Sequence, residues 1–255
     1  MGTPRDPFRL DGKVAVVTGA SSGLGAAAAL ALAQAGADLA LGARRTDRLE
    51  DTKREIEQAG ARAIAHATDV SLPDDCDRLV AEAMSAFGHV DILINNAGIG
   101  TAVPATRESP NQFRSVIDVN LNGCYWMAQA CGRVMKSGSS IINITSVLAL
   151  TSAGLPQAAY AASKAGLIGL TRDLAQQWTP RKGIRVNAIA PGYFATEMSA
   201  EYDPSYIEAT LLPRTLLGRP GRPEEIGPAV VFLAGEASSF VTGVTLAVDG
   251  GFLVT

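Results

Sequence analysis

Cysteine and histidine are scarce in this chain, and each scarcity excludes something. The three cysteines, Cys76, Cys124 and Cys131, are odd in number and form no C-x-x-C pair. That argues against a disulfide framework or a zinc knuckle and favours reduced, buried thiols. The two histidines, His66 and His89, lie away from the motifs described below. Both read as structural or solvated, and no metal site is expected. No apolar run approaches the roughly eighteen residues that suggest a membrane span. Basic charge is not in excess: the formal net charge is −3, which argues against a general binder of nucleic acid or of membrane surfaces. Met1–Lys13 lacks the apolar stretch of a secretory signal, and Asp6 stands where a myristoylation signal wants Ser or Thr. Together these absences predict a soluble, cytoplasmic protein.

What is abundant is apolar and small. Hydrophobic residues make up 47% of the 255 positions, and 26 are Gly. That composition suits close packing of helices on a sheet and argues against disorder. Short β-branched or apolar runs alternate with helical patterns. Strands are expected at 13–19, 38–42, 62–67, 91–95, 140–145, 184–190 and 245–248. Helices are expected at 23–35, 47–59, 74–87, 111–136, 158–177 and 223–234, several of them followed by Gly. Strands alternating with helices imply a parallel sheet covered on both faces. Residues 191–222 are proline-rich and hold little periodicity, which reads as a long loop or an irregular helical excursion. No repeat or linker marks a boundary, so residues 1–255 read as a single α/β domain. Ligands of such sheets bind at the carboxyl ends of the strands.

Thr18-Gly19-Ala20-Ser21-Ser22-Gly23-Leu24-Gly25 falls between the first strand and the first helix. Glycines there let the backbone turn sharply and approach phosphates without a Cβ clash. The free N–H groups and positive end of the following helix attract the anion. A Gly-rich turn without a ligand is the plainer alternative, but the strand–turn–helix context favours a nucleotide. A Walker-type loop is excluded by the missing Gly-Lys-Ser/Thr.

The TGxxxGxG spacing resembles that of the short-chain dehydrogenase/reductase family, and further motifs extend the resemblance over nearly the whole chain. Asp69-Val70 resembles the family's adenine-contacting pair. Asn95-Asn96-Ala97-Gly98 resembles its NNAG segment, and Pro191-Gly192 with Thr196 its nicotinamide-side segment. The resemblance implies a Rossmann-type, doubly wound parallel β-sheet of about seven strands with helices on both faces. It also implies cofactor contacts from Gly19, Ser21, Ser22, Gly23, Leu24, Gly25, Asp69, Val70, Asn96, Ala97, Gly98, Pro191, Gly192 and Thr196. Family members that prefer NAD carry Asp where this chain has Ala43, and Arg44 and Arg45 follow at once. A guanidinium can hold a phosphate through two N–H bonds, so the expected cofactor is NADP(H).

Tyr160 and Lys164 are four residues apart in a helical stretch, so they share a face. A phenol is a poor base at neutral pH, and a nearby ammonium would lower its pKa. Such a pair could exchange a proton near neutrality. Ser146 ends a strand-like segment at the sheet's carboxyl edge, and Asn120 interrupts a helical stretch that it suits poorly. The family resemblance makes Asn120, Ser146, Tyr160 and Lys164 the catalytic set. It implies that Tyr160 moves the proton and Ser146 orients the substrate oxygen. Lys164 would hold the nicotinamide ribose, and Asn120 would help place a water. Ser146 and Tyr160 are one residue farther apart than is usual in the family, which puts the shape of the Leu148–Pro156 loop in doubt.

The segment Tyr193–Leu217 resembles the family's substrate cover. It contains Tyr193, Phe194, Met198, Tyr202 and Tyr206, with Glu197, Glu201, Asp203 and Arg214. The expected activity is carbonyl–alcohol interconversion on a small molecule. A 3-oxoacyl-(acyl-carrier-protein) reductase is the alternative, with Arg133, Lys136 and Arg172 as candidate contacts for an acidic carrier. A non-catalytic NADP(H) sensor is a third reading, opposed by the intact Ser–Tyr–Lys set. The resemblance also implies a homotetramer, with the 158–177 helix and the C-terminal strand as candidate interfaces.

Overall fold

The computed structural model describes residues 6–200 and 202–255. The first five residues, which begin the Met1–Lys13 segment, lie outside the described residues, as does Glu201. Seven parallel strands form one sheet in the order β3-β2-β1-β4-β5-β6-β7. They are β1 (Val14–Thr18), β2 (Asp38–Ala43), β3 (Ala63–Ala67), β4 (Ile92–Asn95), β5 (Ser140–Ile144), β6 (Arg185–Pro191) and β7 (Thr245–Val248). The strand order reverses between β1 and β4, which opens a crevice at their carboxyl ends.

The inner strands are apolar without alternation because both faces are covered. Ala15, Val17, Leu39, Leu41, Ile92 and Ile94 pack with α1 (Gly23–Gln34), α2 (Thr46–Gln58) and the helix Gly227–Ala234. Val16, Ala40, Leu93, Ile141 and Val186 face the other way, into α3 (Pro73–Phe87), α5 (Gly123–Val134) and α6 (Ala158–Lys182). Register is fixed through the middle, with Val16 opposite both Ala40 and Leu93.

Three helices depart from the sequence reading. The stretch expected as one helix over 111–136 is two, α4 (Pro110–Ile117) and α5, joined by a π-helical turn at Asp118–Asn122. Ser109 and Gln112 close a capping box at the start of α4. Helix α6 runs past the expected end at Gln177 and includes Pro180. Pro180 forfeits one helical hydrogen bond in the last turns of α6, while the neighbouring Trp178 packs against Gly132 of α5. Gly183 then ends α6 at φ 66°, a left-handed conformation that its missing Cβ permits. The 223–234 helix begins as a tight 3-10 turn, Pro223–Ile226. Between β6 and that turn the chain is an irregular helical excursion, tied at its base by a bridge between Phe194 and Gly221.

Candidate active site

A cleft of about 590 Å³ lies along the carboxyl ends of the central strands and takes in most of the predicted site residues. At one end is the loop between β1 and α1. Thr18 Oγ1 accepts the backbone N–H groups of Asn96 and Ala97 at 3.0 and 3.1 Å. Asn96 Nδ2 donates to the carbonyls of Thr18 and Gly19 at 3.1 and 3.2 Å. The NNAG segment therefore pins the phosphate loop from beneath. Space there is tight: a Cβ on Gly19 would lie 2.8 Å from Ala97 Cα, and one on Gly25 would lie 2.3 Å from Gly19 O. Gly25 is buried behind the loop and does not line the cleft, whereas Gly19, Ser21, Ser22, Gly23 and Leu24 do. A bare backbone at the start of a twelve-residue helix suits a pyrophosphate, so the loop fits a dinucleotide.

Beyond the end of β2, Ala43 is buried while Arg44 and Arg45 are exposed. Arg45 reaches back over the loop and donates to Ser22 Oγ at 2.7 Å. Its other terminal nitrogen pairs with Glu197 Oε2 at 2.8 Å. Arg48, one turn along α2, pairs with the second oxygen of the same carboxylate. Asp69 accepts from the backbone and hydroxyl of Ser71 at 3.0 and 2.7 Å, which holds the Asp69-Val70 edge against the cleft. Val70 in turn is packed against Gly123, where a Cβ would approach Val70 Cγ2 to 2.7 Å.

At the other end, Ser146 follows β5 and caps a short turn by accepting from Leu148 N at 3.1 Å. Tyr160 shares a hydrogen bond with it. Burial pushes the Tyr160 pKa above its ordinary value, and the bond to Ser146 works in the opposite direction. This corrects the expectation that Lys164 sets a lowered pKa. Lys164 is 3% exposed, and its Nζ is turned to the Ile144 carbonyl at 2.8 Å. Burial lowers its own pKa as well. The Lys164 Nζ lies 5.7 Å from the Tyr160 ring centroid. Asn120 is fully buried in the π-helical turn and does not line the cleft. Its amide is spent on structure: Nδ2 donates to Ile99 O at 2.8 Å and to Ser163 Oγ at 3.1 Å, and Oδ1 accepts from Ile99 N at 2.8 Å. The structure thus brings Ser146, Tyr160 and Lys164 together and puts Asn120 behind Gly98, where a Cβ would lie 3.3 Å from Asn120 Oδ1 and 3.5 Å from Lys164 Nζ.

Pro191, Gly192 and Thr196 line the far wall. Next to them, Tyr193, Tyr202 and Tyr206 form an aromatic cover, the last two edge to face at 5.8 Å between centroids. Tyr206 donates to Ala153 O at 2.6 Å, which ties the cover to the Leu148–Pro156 loop. Gln157 hydrogen-bonds Tyr202 and also lines the cleft. The sequence reading missed Arg48 and Gln157. Helical spacing from Arg45 could have suggested Arg48, but nothing local marks Gln157. The three cysteines are free and buried; burial pushes the Cys76 thiol up to about 12 and the Cys124 thiol up to about 11.

Residues 19–253 match the family model described as Enoyl-(Acyl carrier protein) reductase. In structure, the chain superimposes with a TM-score of 0.93 on a short-chain type dehydrogenase/reductase from Mycobacterium marinum, 34% identical, covering 98% of this chain and 99% of that one. The chain belongs to the short-chain dehydrogenase/reductase family. One curated member, a 2-dehydro-3-deoxy-D-gluconate 5-dehydrogenase from Escherichia coli (strain K12), is 40% identical over 96% of this chain and 97% of its own. Another, a 3-oxoacyl-(acyl-carrier-protein) reductase from Thermotoga maritima, is 37% identical over 97% and 100%. A structure from Agrobacterium tumefaciens with bound NADP has a TM-score of 0.89 at 37% identity, covering 98% of this chain and 100% of that chain. This short-chain dehydrogenase/reductase therefore shares a fold over essentially its full length with proteins that act on different substrates. Among the described residues, no group of three or more His, Cys, Asp or Glu could hold a metal ion. Nor is any described helix long and apolar enough to cross a membrane.

Proposed function

We propose that the chain is an NADP(H)-dependent oxidoreductase that interconverts a carbonyl and an alcohol, with Tyr160 as general acid and base. The observation that carries this reading is the convergence of Ser146, Tyr160 and Lys164 in one cleft with the phosphate loop. When bound, the nicotinamide supplies or accepts the hydride. Tyr160 gives or takes the proton on the substrate oxygen. Ser146 orients that oxygen and, through its bond to Tyr160, makes the phenolate easier to form. Lys164 is held near Tyr160 by Ile144 and is positioned to bind the ribose. Asn120 acts through position, fixing Ile99 and hence the wall beside Gly98. Burial disfavours the Tyr160 phenolate, which suits proton donation in the reductive direction.

Support for NADP(H) comes from Ala43, Arg44 and Arg45 at the end of β2, and from the related protein solved with that cofactor. The chain would work as one catalytic domain, residues 1–255, with 191–222 as its substrate cover. The exposed Phe240 and Val244 before β7, and Val254 beyond it, support a symmetric assembly through that edge, which we take to be a cytoplasmic homotetramer. The second reading is a 3-oxoacyl-(acyl-carrier-protein) reductase, favoured by the likeness to the Thermotoga protein. One of its candidate carrier contacts, Arg133, is engaged with Asp77 at 2.8 Å, which leaves Lys136 and Arg172.

The test is oxidation of NADPH, with NADH in parallel, over ketones, diketones, sugars and 3-oxoacyl thioesters, using the wild type and Tyr160→Phe. The expected result is preferential turnover with NADPH, reduced by roughly 10²–10⁴-fold in Tyr160→Phe with cofactor binding retained. Full activity in the variant refutes the assignment of Tyr160. Turnover confined to the thioesters selects the second reading.

A further inference from the structure

The carboxylate of Glu197 already holds Arg45, a guanidinium that the NADP(H) reading assigns to a phosphate, and a second guanidinium beside it, Arg48. We propose that Glu197 is an internal anion that competes with the 2′-phosphate of NADP(H) for Arg45 and Arg48, and that its displacement frees the turn that carries it. The inference rests on the NADP(H) reading above.

The geometry is that of one anion between two cations. Glu197 Oε2 meets Arg45 at 2.8 Å, and Oε1 meets Arg48. Arg45 also bonds Ser22 of the phosphate loop at 2.7 Å, so the bridged pair stands beside the site of the pyrophosphate. Arg45 is the residue just before α2, and Arg48 lies in the first turn of that helix. The three side chains are about half exposed, 49% for Arg45, 52% for Arg48 and 47% for Glu197. Water screens such a bridge, and it is weak enough to exchange. A phosphate monoester carries a charge of about −1.5 to −2 and three acceptor oxygens, against a single charge on the carboxylate. It can therefore displace Glu197, at the cost of breaking the bridge. A cofactor without the 2′-phosphate has no reason to break it.

Glu197 does not move alone. Thr196 N donates to Ser199 Oγ at 2.9 Å, and Ser199 Oγ donates to Phe194 O at 2.8 Å, so residues 196–199 form a tight turn. Thr196 lies over the start of α1, 3.5 Å from where a Cβ of Gly23 would be. The same turn leads into Tyr202 and Tyr206. Release of Glu197 therefore removes the tie between this turn and the start of α2 when the phosphate arrives.

The experiment is equilibrium binding of NADPH and NADH to the wild type, Glu197→Gln and Glu197→Ala, read by nicotinamide fluorescence without substrate. Both variants should tighten NADPH binding by roughly three- to tenfold and change NADH binding by less than about twofold. Equal effects on the two cofactors, no effect, or weaker NADPH binding would each overturn the competition. Arg45→Ala in the same series separates this inference from the reading beneath it. If Arg45→Ala weakens NADPH and NADH equally, the cofactor assignment itself fails, whatever Glu197 does.

Discussion

A single methyl group placed under the phosphate loop should damage both stability and cofactor binding. Gly25 sits in the first turn of α1, and its Cβ in Gly25→Ala would lie 2.3 Å from Gly19 O and 2.4 Å from Asn96 Nδ2. Ordinary contact begins at 3.4 Å, so the carbonyl must retreat by about 1.1 Å. That carbonyl is backbone, and Asn96 also holds the neighbouring Thr18 carbonyl at 3.1 Å, so the loop has to move as a piece. Overpacking costs about 1–3 kcal/mol, and stretching the Asn96 hydrogen bonds costs about 1 kcal/mol each. Taken together, roughly 3–5 kcal/mol is lost, which for a chain of this size lowers the Tm by roughly 6–20 °C. A loop about 1 Å out of place also forfeits at least one N–H bond to a phosphate oxygen, so the Kd for NADPH should rise about tenfold or more. The assays are thermal denaturation without cofactor and fluorescence titration with NADPH. Gly169→Ala is the matched control, because a Cβ there meets nothing within 4 Å and the residue lies within α6. If Gly25→Ala keeps the wild-type Tm and Kd, the loop is not held as described.

Ser146→Ala removes the bond that eases ionisation of Tyr160, so the Tyr160 pKa should rise further. Reduction needs the phenol protonated; the alkaline limb of the kcat profile should therefore move to higher pH while maximal turnover falls. A shift to lower pH would contradict the assignment. Arg44→Ala and Arg45→Ala should each raise the Kd for NADPH by roughly tenfold or more while sparing NADH, since one charged contact to a phosphate contributes about 1.5–3 kcal/mol. Equal loss for both cofactors in titrations would count against a phosphate contact. Glu225 is held at about 2 by Arg219, whose guanidinium approaches both its oxygens at 2.7 Å. A depressed carboxyl stabilises above its unfolded pKa and stops doing so as pH falls through its folded one. Glu225→Gln should thus lower the Tm at pH 7. The gap to wild type should narrow from about pH 4.5 downward and close near pH 2, as scanning calorimetry across that range would reveal.

The sheet was legible because its inner strands are buried on both faces and so read as unbroken apolar runs. The phosphate loop and Tyr160–Lys164 were legible because their chemistry is local, set by glycines at a strand–helix junction and by one helical turn. What escaped depends on distant partners. The π-helical turn arises where the Asn120 amide meets the Ile99 backbone, 21 positions away. The Arg45–Glu197 bridge spans 152 positions. The direction of the Tyr160 pKa follows from burial, which no four-residue spacing encodes. Pro180 suggests a helix end by propensity alone, yet α6 continues through it to Lys182.

The π-helical turn at Asp118–Asn122 makes chain length itself a constraint on the site. An α-helix rotates about 100° per residue. The wider turn resets the phase between α4 and α5, so that Asn120 can face Ile99 while Met127 and Cys131 face the core. Deleting one residue there would rewind the turn and swing α5 by about 100°, taking Met127 and Cys131 off their buried face. Val119, which lines the cleft, sits within this turn, so this part of the wall depends on a count of residues as well as on their identity.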